Sequence, residues 1–165
     1  PESLRLVNVN YWGFDGYRYR GEIVVRADTA NDVANIFTEL YNANFPIRQM
    51  ILPDKFGRNI NGWPGANDYA QMSADNTSGF NCRYVVGLEG LHVMSPHASG
   101  RAIDVNTWEN PYAAPTGYFP NSWFMFNRPS NNTGVLDVRT VNTLTSRGYF
   151  WGGWWSEADF QHFQR

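Results

Sequence analysis

Ser95-Pro96-His97-Ala98-Ser99-Gly100-Arg101-Ala102-Ile103-Asp104 is the stretch on which the reading of this chain turns. Pro96 and Gly100 punctuate a tight turn. Residues 91–94 before it and 102–105 within and after it read as strand pieces. A turn at Gly100 brings His97 and Asp104 to one point from adjacent extended segments. Histidine is scarce, with three in 165 residues, so the neighbours of each one carry information. The last, His162, ends the stretch Asp159-Phe160-Gln161-His162. Two imidazoles and a carboxylate make an N₂O set for zinc that leaves a fourth position for water. Asp159 then sits beside that water rather than on the metal. The same residues also have an ordinary reading, with His97 in a turn, Asp104 capping a strand end and His162 as a satisfied core histidine.

Working outward, Leu4, Leu6 and Val9 with Tyr11 suggest a first strand. Asp15-Gly16 marks a turn, and residues 21–25 read as a second strand. Val33, Ile36, Phe37, Leu40 and Tyr41 recur at helical spacing, with Thr29 and Asp32 as an expected capping box and Pro46 as the stop. Residues 53–82 are rich in Gly, Asn and Asp and read as loop with short strands. Residues 107–134 read as loop, interrupted by Pro111, Pro115, Pro120 and Pro129. A second helix is expected over about 136–147, burying Val138, Val141 and Leu144, with Gly148 as its left-handed stop. Residues 149–151 and 161–164 read as closing strands. The fold class expected is α+β, a small single domain over residues 1–165 with a mainly antiparallel sheet and helices on one side.

Composition narrows the function. With 13 basic and 15 acidic residues the net charge is −2, which argues against a partner rich in phosphates, so no nucleic acid and no anionic lipid surface is expected. No apolar run approaches the roughly 18 residues of a membrane span. The single cysteine, Cys82, excludes an internal disulfide and a Cys-rich zinc site, and it reads as a small buried residue rather than a nucleophile. Pro1 opens the chain, as expected of a processed or excised protein. Seven Trp and nine Tyr accompany abundant Asn, a bias shared by sugar-contacting surfaces and by ordinary small cores with Asn-rich turns. Trp108, Trp151, Trp154 and Trp155 are expected to split between a groove for glycan or peptide and the core. Glu89, Glu109 and Glu157 read as solvated carboxylates, and His92 as a core or surface residue outside any motif.

The joint pattern Ser95-x-His97-x-x-Gly100-x-Ala102-x-Asp104 followed by Asp159-x-x-His162 resembles the signature of the M15 zinc metallopeptidases. That family includes D-alanyl-D-alanine carboxypeptidases, D-Ala-D-Ala dipeptidases and L-alanyl-D-glutamate endopeptidases of bacteria and phage. The resemblance spans about residues 76–164 and implies an M15 fold of the D,D-peptidase and hedgehog type. It implies one zinc ion per chain on His97, Asp104 and His162, Asp159 as the catalytic acidic residue, and Arg83 as the arginine that stabilises the oxyanion or clamps a substrate carboxylate. Ser95 and Trp155 are implied near the substrate. The Trp151-Gly152-Gly153 segment is similar to the endopeptidase branch, whereas Glu157 stands where some carboxypeptidases carry a histidine. The implied activity is hydrolysis of peptidoglycan stem peptides by a secreted or wall-associated monomer of bacterial or phage origin, with an L-alanyl-D-glutamate endopeptidase ahead of a D-alanyl-D-alanine carboxypeptidase. A reading of another class is a non-catalytic, zinc-containing wall-binding domain.

Overall fold

In the computed structural model, which describes residues 3–129 and 131–165, the chain opens as a long hairpin. Pro1 lies outside the described residues. Strand β1 (Leu4–Trp12) pairs antiparallel with β2 (Arg18–Arg26), Leu4 opposite Arg26 and Trp12 opposite Arg18. Gly16 turns the chain at φ 81°, and the Asp15 carboxylate accepts the amide of Tyr17. Val9, Tyr11, Ile23 and Val25 face the core by alternation, whereas Leu6 lies exposed on the other face.

Helix α1 (Ala30–Asn42) lays Val33, Ile36, Phe37 and Leu40 onto this hairpin. The expected capping box is absent. A 3₁₀ turn over Ala27–Thr29 precedes the helix, and Thr29 already has helical angles, so its hydroxyl donates back to the Arg26 carbonyl at 2.8 Å. Asp32 reaches Arg165 instead and ties the helix to the end of the chain.

The region over 53–82 is not built from short strands. It holds two 3₁₀ turns, Pro53–Phe56 and Ile60–Gly62, and a short helix α2 (Asp68–Ser73) capped by the side chain of Asn67, which accepts from Ala70 N. Residues 91–94 contribute a single bridge, Met94 to Tyr84, and Leu91 closes a 3₁₀ turn with its side chain exposed. The region over 107–134 folds into a hairpin of β4 (Tyr112–Ala114) and β5 (Gly117–Phe119) and a one-turn helix α3 (Trp123–Phe126). Helix α4 (Val138–Thr145) is capped reciprocally by Asp137 and Thr140, and Gly148 follows it at φ 84°. Val141 and Leu144 are buried, but Val138 is 78% exposed, because it is the first residue of the helix and points away from the core.

The strand that decides the site is β3 (Ala102–Asp104). It pairs antiparallel with β7 (His162–Gln164), which also pairs with β6 (Phe150–Trp151). In register, Ile103 opposes Phe163 and Asp104 opposes His162. Ile103 and Phe163 are fully buried in the same core as α1 and α4. Period-two alternation therefore sends Asp104 and His162 to the opposite face, side by side. Among the described residues the strands divide among three small antiparallel sheets rather than one. Among the described residues no helix is long and apolar enough to cross a membrane.

Candidate metal centre

The turn that carries His97 is assembled from local chemistry. Pro96 opens a 3₁₀ turn over Pro96–Ser99, and the Ser95 hydroxyl caps it by accepting the His97 amide at 3.3 Å. Gly100 follows at φ 74°, and a Cβ there would lie 2.8 Å from the backbone N of Arg26. Only glycine permits that approach, and the Gly100 carbonyl accepts from that same amide at 2.9 Å. The pattern residues of the turn are thus the ones that dock it on β2.

Three donors converge where the turn meets β3 and β7. His97 Nε2 lies 3.1 Å from Asp104 Oδ2 and 3.2 Å from His162 Nδ1, and His162 Nδ1 lies 3.0 Å from Asp104 Oδ1. All three residues are buried. Zinc–ligand bonds of 2.0–2.1 Å in a tetrahedron imply ligand separations of about 3.3 Å, close to this triangle. The outer ring nitrogens fix the tautomers. His97 Nδ1 donates to the Gly79 carbonyl at 2.6 Å, and His162 Nε2 donates to Gln164 Oε1 at 3.0 Å. Both inner nitrogens therefore present lone pairs to each other and to a carboxylate, an arrangement a cation relieves. The donor set, its outer hydrogen bonds and its dimensions fit a zinc ion.

Around the triangle lies a cavity of about 140 Å³ whose wall includes Arg83, Ser95, Tyr112, Trp155 and Asp159. Asp159 is half-buried, yet its Oδ1 is fully buried and has no hydrogen-bond partner among the described residues. Burial pushes its pKa up to about 8; Asp104 and Asp68 add to the rise, while His162 and Arg83 oppose it. Its backbone is fixed, since Asp159 N donates to the Gly152 carbonyl at 3.0 Å. Arg83 is buried, with Nη1 donating to the Tyr84 carbonyl at 3.0 Å and Nη2 lying 2.8 Å from Asp68 Oδ2. Its Nε is buried without a partner among the described residues. All seven sequence-predicted site residues, His97, Asp104, His162, Asp159, Arg83, Ser95 and Trp155, line this one cavity.

Other expectations part from the structure. Cys82 is exposed rather than buried, on a surface cavity formed with Pro53, Arg58 and Phe80. Glu89 is buried and accepts the Tyr69 hydroxyl at 2.6 Å. Glu109 is also buried, and burial followed by the neighbouring Asp75 pushes its pKa up to about 8. Glu157 is exposed, as expected. His92 is exposed and stacks on Tyr84 away from the centre. The tryptophans do split: Trp151 stacks on core Phe163 and Trp155 faces His162, whereas Trp154 is mostly exposed and Trp108 donates to the Ser73 carbonyl.

Three wall residues escape the motif reading. Asp68 is buried at the start of α2, where it takes the amides of Gln71 and Asn81 as well as the Arg83 contact. Tyr112 has its pKa pushed up to about 12 by burial and then by Asp159. Gln164 holds the His162 ring. Asn67 as a cap before Asp68 was the one local signal for the first.

With this geometry in view, residues 89–165 match the model of the peptidase family described as D-alanyl-D-alanine carboxypeptidase. Over that stretch the chain is similar to the M15 peptidases. The M15 match contains His97, Asp104, Asp159 and His162, while Arg83 and Asp68 precede it. No curated protein and no solved structure matches the chain.

Proposed function

We propose that residues 1–165 act as one zinc peptidase domain that hydrolyses amide bonds in bacterial peptidoglycan stem peptides, with the L-alanyl-D-glutamate bond as its target. The observation that carries this reading is the meeting in one cavity of three converging lone pairs with a buried carboxyl and a buried guanidinium. His97, Asp104 and His162 would hold a single zinc ion, which when bound would supply Lewis acidity for a carbonyl and for water. Asp159 Oδ1, buried and without a partner among the described residues, accepts the proton of the attacking water and delivers it to the leaving amine. Arg83 stabilises charge on the oxygen of the tetrahedral intermediate, and losing such a donor typically costs about 10²–10³ in turnover. Ser95 holds the His97 turn at the cavity wall, and Trp155 offers the substrate an aromatic face.

The family description favours a second reading, a D-alanyl-D-alanine carboxypeptidase. The Trp151-Gly152-Gly153 segment, similar to the endopeptidase branch, favours the endopeptidase. Arg83 is the one arginine or lysine among the described residues lining the cavity, and it is available to either substrate. A non-catalytic wall-binding domain would have no use for the buried, partnerless Oδ1 of Asp159. The substrate places the protein's work outside the cytoplasm, secreted or wall-associated, in bacteria or phage, and one complete cavity per chain suits a monomer.

Mass spectrometry of the products that the zinc-loaded protein releases from purified peptidoglycan tests this. New amino groups on D-glutamate or D-isoglutamine are expected. Release of terminal D-alanine alone would replace the reading by the carboxypeptidase, and no product from protein with bound zinc would overturn both.

A further inference from the structure

Trp155 begins a line of aromatic rings that leads from the metal centre to solvent. Its ring centroid is 5.6 Å from that of His162. Phe150 lies 6.3 Å further at an interplanar angle of 19°, and Trp154 stands edge-on to Phe150 at 5.2 Å. Trp155 is 37% exposed, Phe150 46% and Trp154 56%. Three large rings held open to water in one contiguous strip are uncommon unless something covers them.

The strip is rigid and in register with Asp159. Trp154 closes a 3₁₀ turn over Gly152–Trp154, and the Gly152 carbonyl accepts both Trp155 N at 3.1 Å and Asp159 N at 3.0 Å. A Cβ on Gly152 would lie 2.7 Å from the Asp159 carbonyl oxygen, and one on Gly153 would strike the Trp151 ring. Gly152 therefore lets the turn press against the segment that carries Asp159, and Gly153 lets it close over the Trp151 ring. Whatever the rings hold is held at a fixed place relative to that carboxyl.

The chemistry of the strip selects its occupant. Residues 150–156 read Phe-Trp-Gly-Gly-Trp-Trp-Ser and contain no charge, and Glu157 follows. Carboxylate-bearing stem peptides need cations, which the strip lacks. A neutral pyranose offers C–H faces that stack on flat rings, and hydroxyl and acetamido groups for a polar rim. Gln164, cross-strand from Phe150 and on the cavity wall, supplies an amide there.

We infer that Trp155, Phe150 and Trp154 form a glycan subsite that binds an N-acetylated hexose ring of the wall strand next to the scissile peptide. This rests on the stem-peptide reading and sharpens it. In the wall, L-alanine is joined directly to the lactyl group of the sugar, so an L-alanyl-D-glutamate cut lies one residue from the glycan. A cut at the far end of the stem lies about four residues away, or roughly 13 Å of extended chain. A ring platform that starts beside His162 fits the near cut.

Two substrates test the inference on zinc-loaded protein: a free stem tetrapeptide, and the same stem carried on its N-acetylglucosaminyl-N-acetylmuramyl disaccharide. Trp154→Ala and Phe150→Ala are expected to lower kcat/KM on the disaccharide-bearing substrate by roughly tenfold, the size of one lost aromatic contact. They are expected to leave the free peptide unchanged. Equal losses on both substrates, or no loss on either, would overturn the inference. A titration of Asp159→Asn protein with a chitotetraose probe, followed by tryptophan fluorescence, gives an independent reading. Saturable quenching that disappears in Trp154→Ala is expected, and absence of quenching would overturn the subsite. Failure to cut either substrate alongside intact quenching would remove the peptidase reading and leave the subsite standing.

Discussion

Replacing Asp68 by Ala strips Arg83 of its nearest counter-charge. The Asp68 carboxylate is 1% exposed, and the Arg83 residue 6%. Their separation is 2.8 Å, and the next carboxylate, Asp104 Oδ2, is 3.9 Å from the guanidinium. Breaking a buried pair from one side costs about 3–5 kcal/mol. Gln71 and Asn81 also lose the oxygen they share, each worth about 1 kcal/mol. Attraction to Asp104 offsets part of this, so the expected loss is about 4 kcal/mol. For a domain of this size that lowers Tm by roughly 8–16 °C. Scanning calorimetry of the zinc-loaded proteins reads it directly. The double variant Asp68→Leu with Arg83→Met removes both charges, and is expected to recover most of the stability while remaining inactive. A thermodynamic cycle over the pair should show a coupling of about 3 kcal/mol. Asp68→Ala within about 1 kcal/mol of the parent, or a double variant equal to the sum of the singles, would refute the view that Asp68 is the counter-charge that holds Arg83.

Gly152→Ala pushes a methyl group against the backbone and Cβ of Asp159, so turnover should fall at least roughly tenfold while zinc stoichiometry, read by atomic emission, stays the same. On the proposed reading, chelation should lower Tm by roughly 5–10 °C, because a zinc ion held by His97, Asp104 and His162, which come from distant parts of the chain, would bind the folded state alone; an unchanged melting curve would contradict a metal in the core. Glu109 is held protonated up to about pH 8, against an ordinary value of 4.5. The folded state thus retains a proton that the unfolded state releases, and stability falls as pH rises from about 4.5 to 8. Glu109→Gln keeps the shape of the protonated acid and should flatten that slope in urea titrations at pH 6 and pH 8.

The sequence was most legible where periodicity and contact chemistry agree. Apolar residues around the Asp15-Gly16 turn placed β1 and β2, and helical spacing placed the buried face of α1. The meeting of His97, Asp104 and His162 was legible from the turn signals Pro96 and Gly100 and from the joint motif that links His97 and Asp104 to His162. Helix α2 and the β4–β5 hairpin were not readable, since six- and three-residue elements are too short to show a period. Asp68 belongs to that unread part, and its partnership with Arg83 depends on a tertiary meeting of α2 with the chain after Asn81. Val138 failed for a related reason, because a helix's first residue can satisfy the period and still point outward. Glu89 and Glu109 were misjudged because burial of a carboxyl is decided by what folds over it, here Tyr69 for one and Asp75 for the other.

The central claim is that His97, Asp104 and His162 hold the metal while Asp159 moves the proton, and one paired measurement separates these roles. Zinc content and stem-peptide hydrolysis are measured together for the parent, His162→Ala and Asp159→Ala. The account predicts one zinc per chain and turnover in the parent, loss of both in His162→Ala, and zinc without turnover in Asp159→Ala. Full zinc occupancy in His162→Ala, or undiminished hydrolysis by Asp159→Ala, would contradict it.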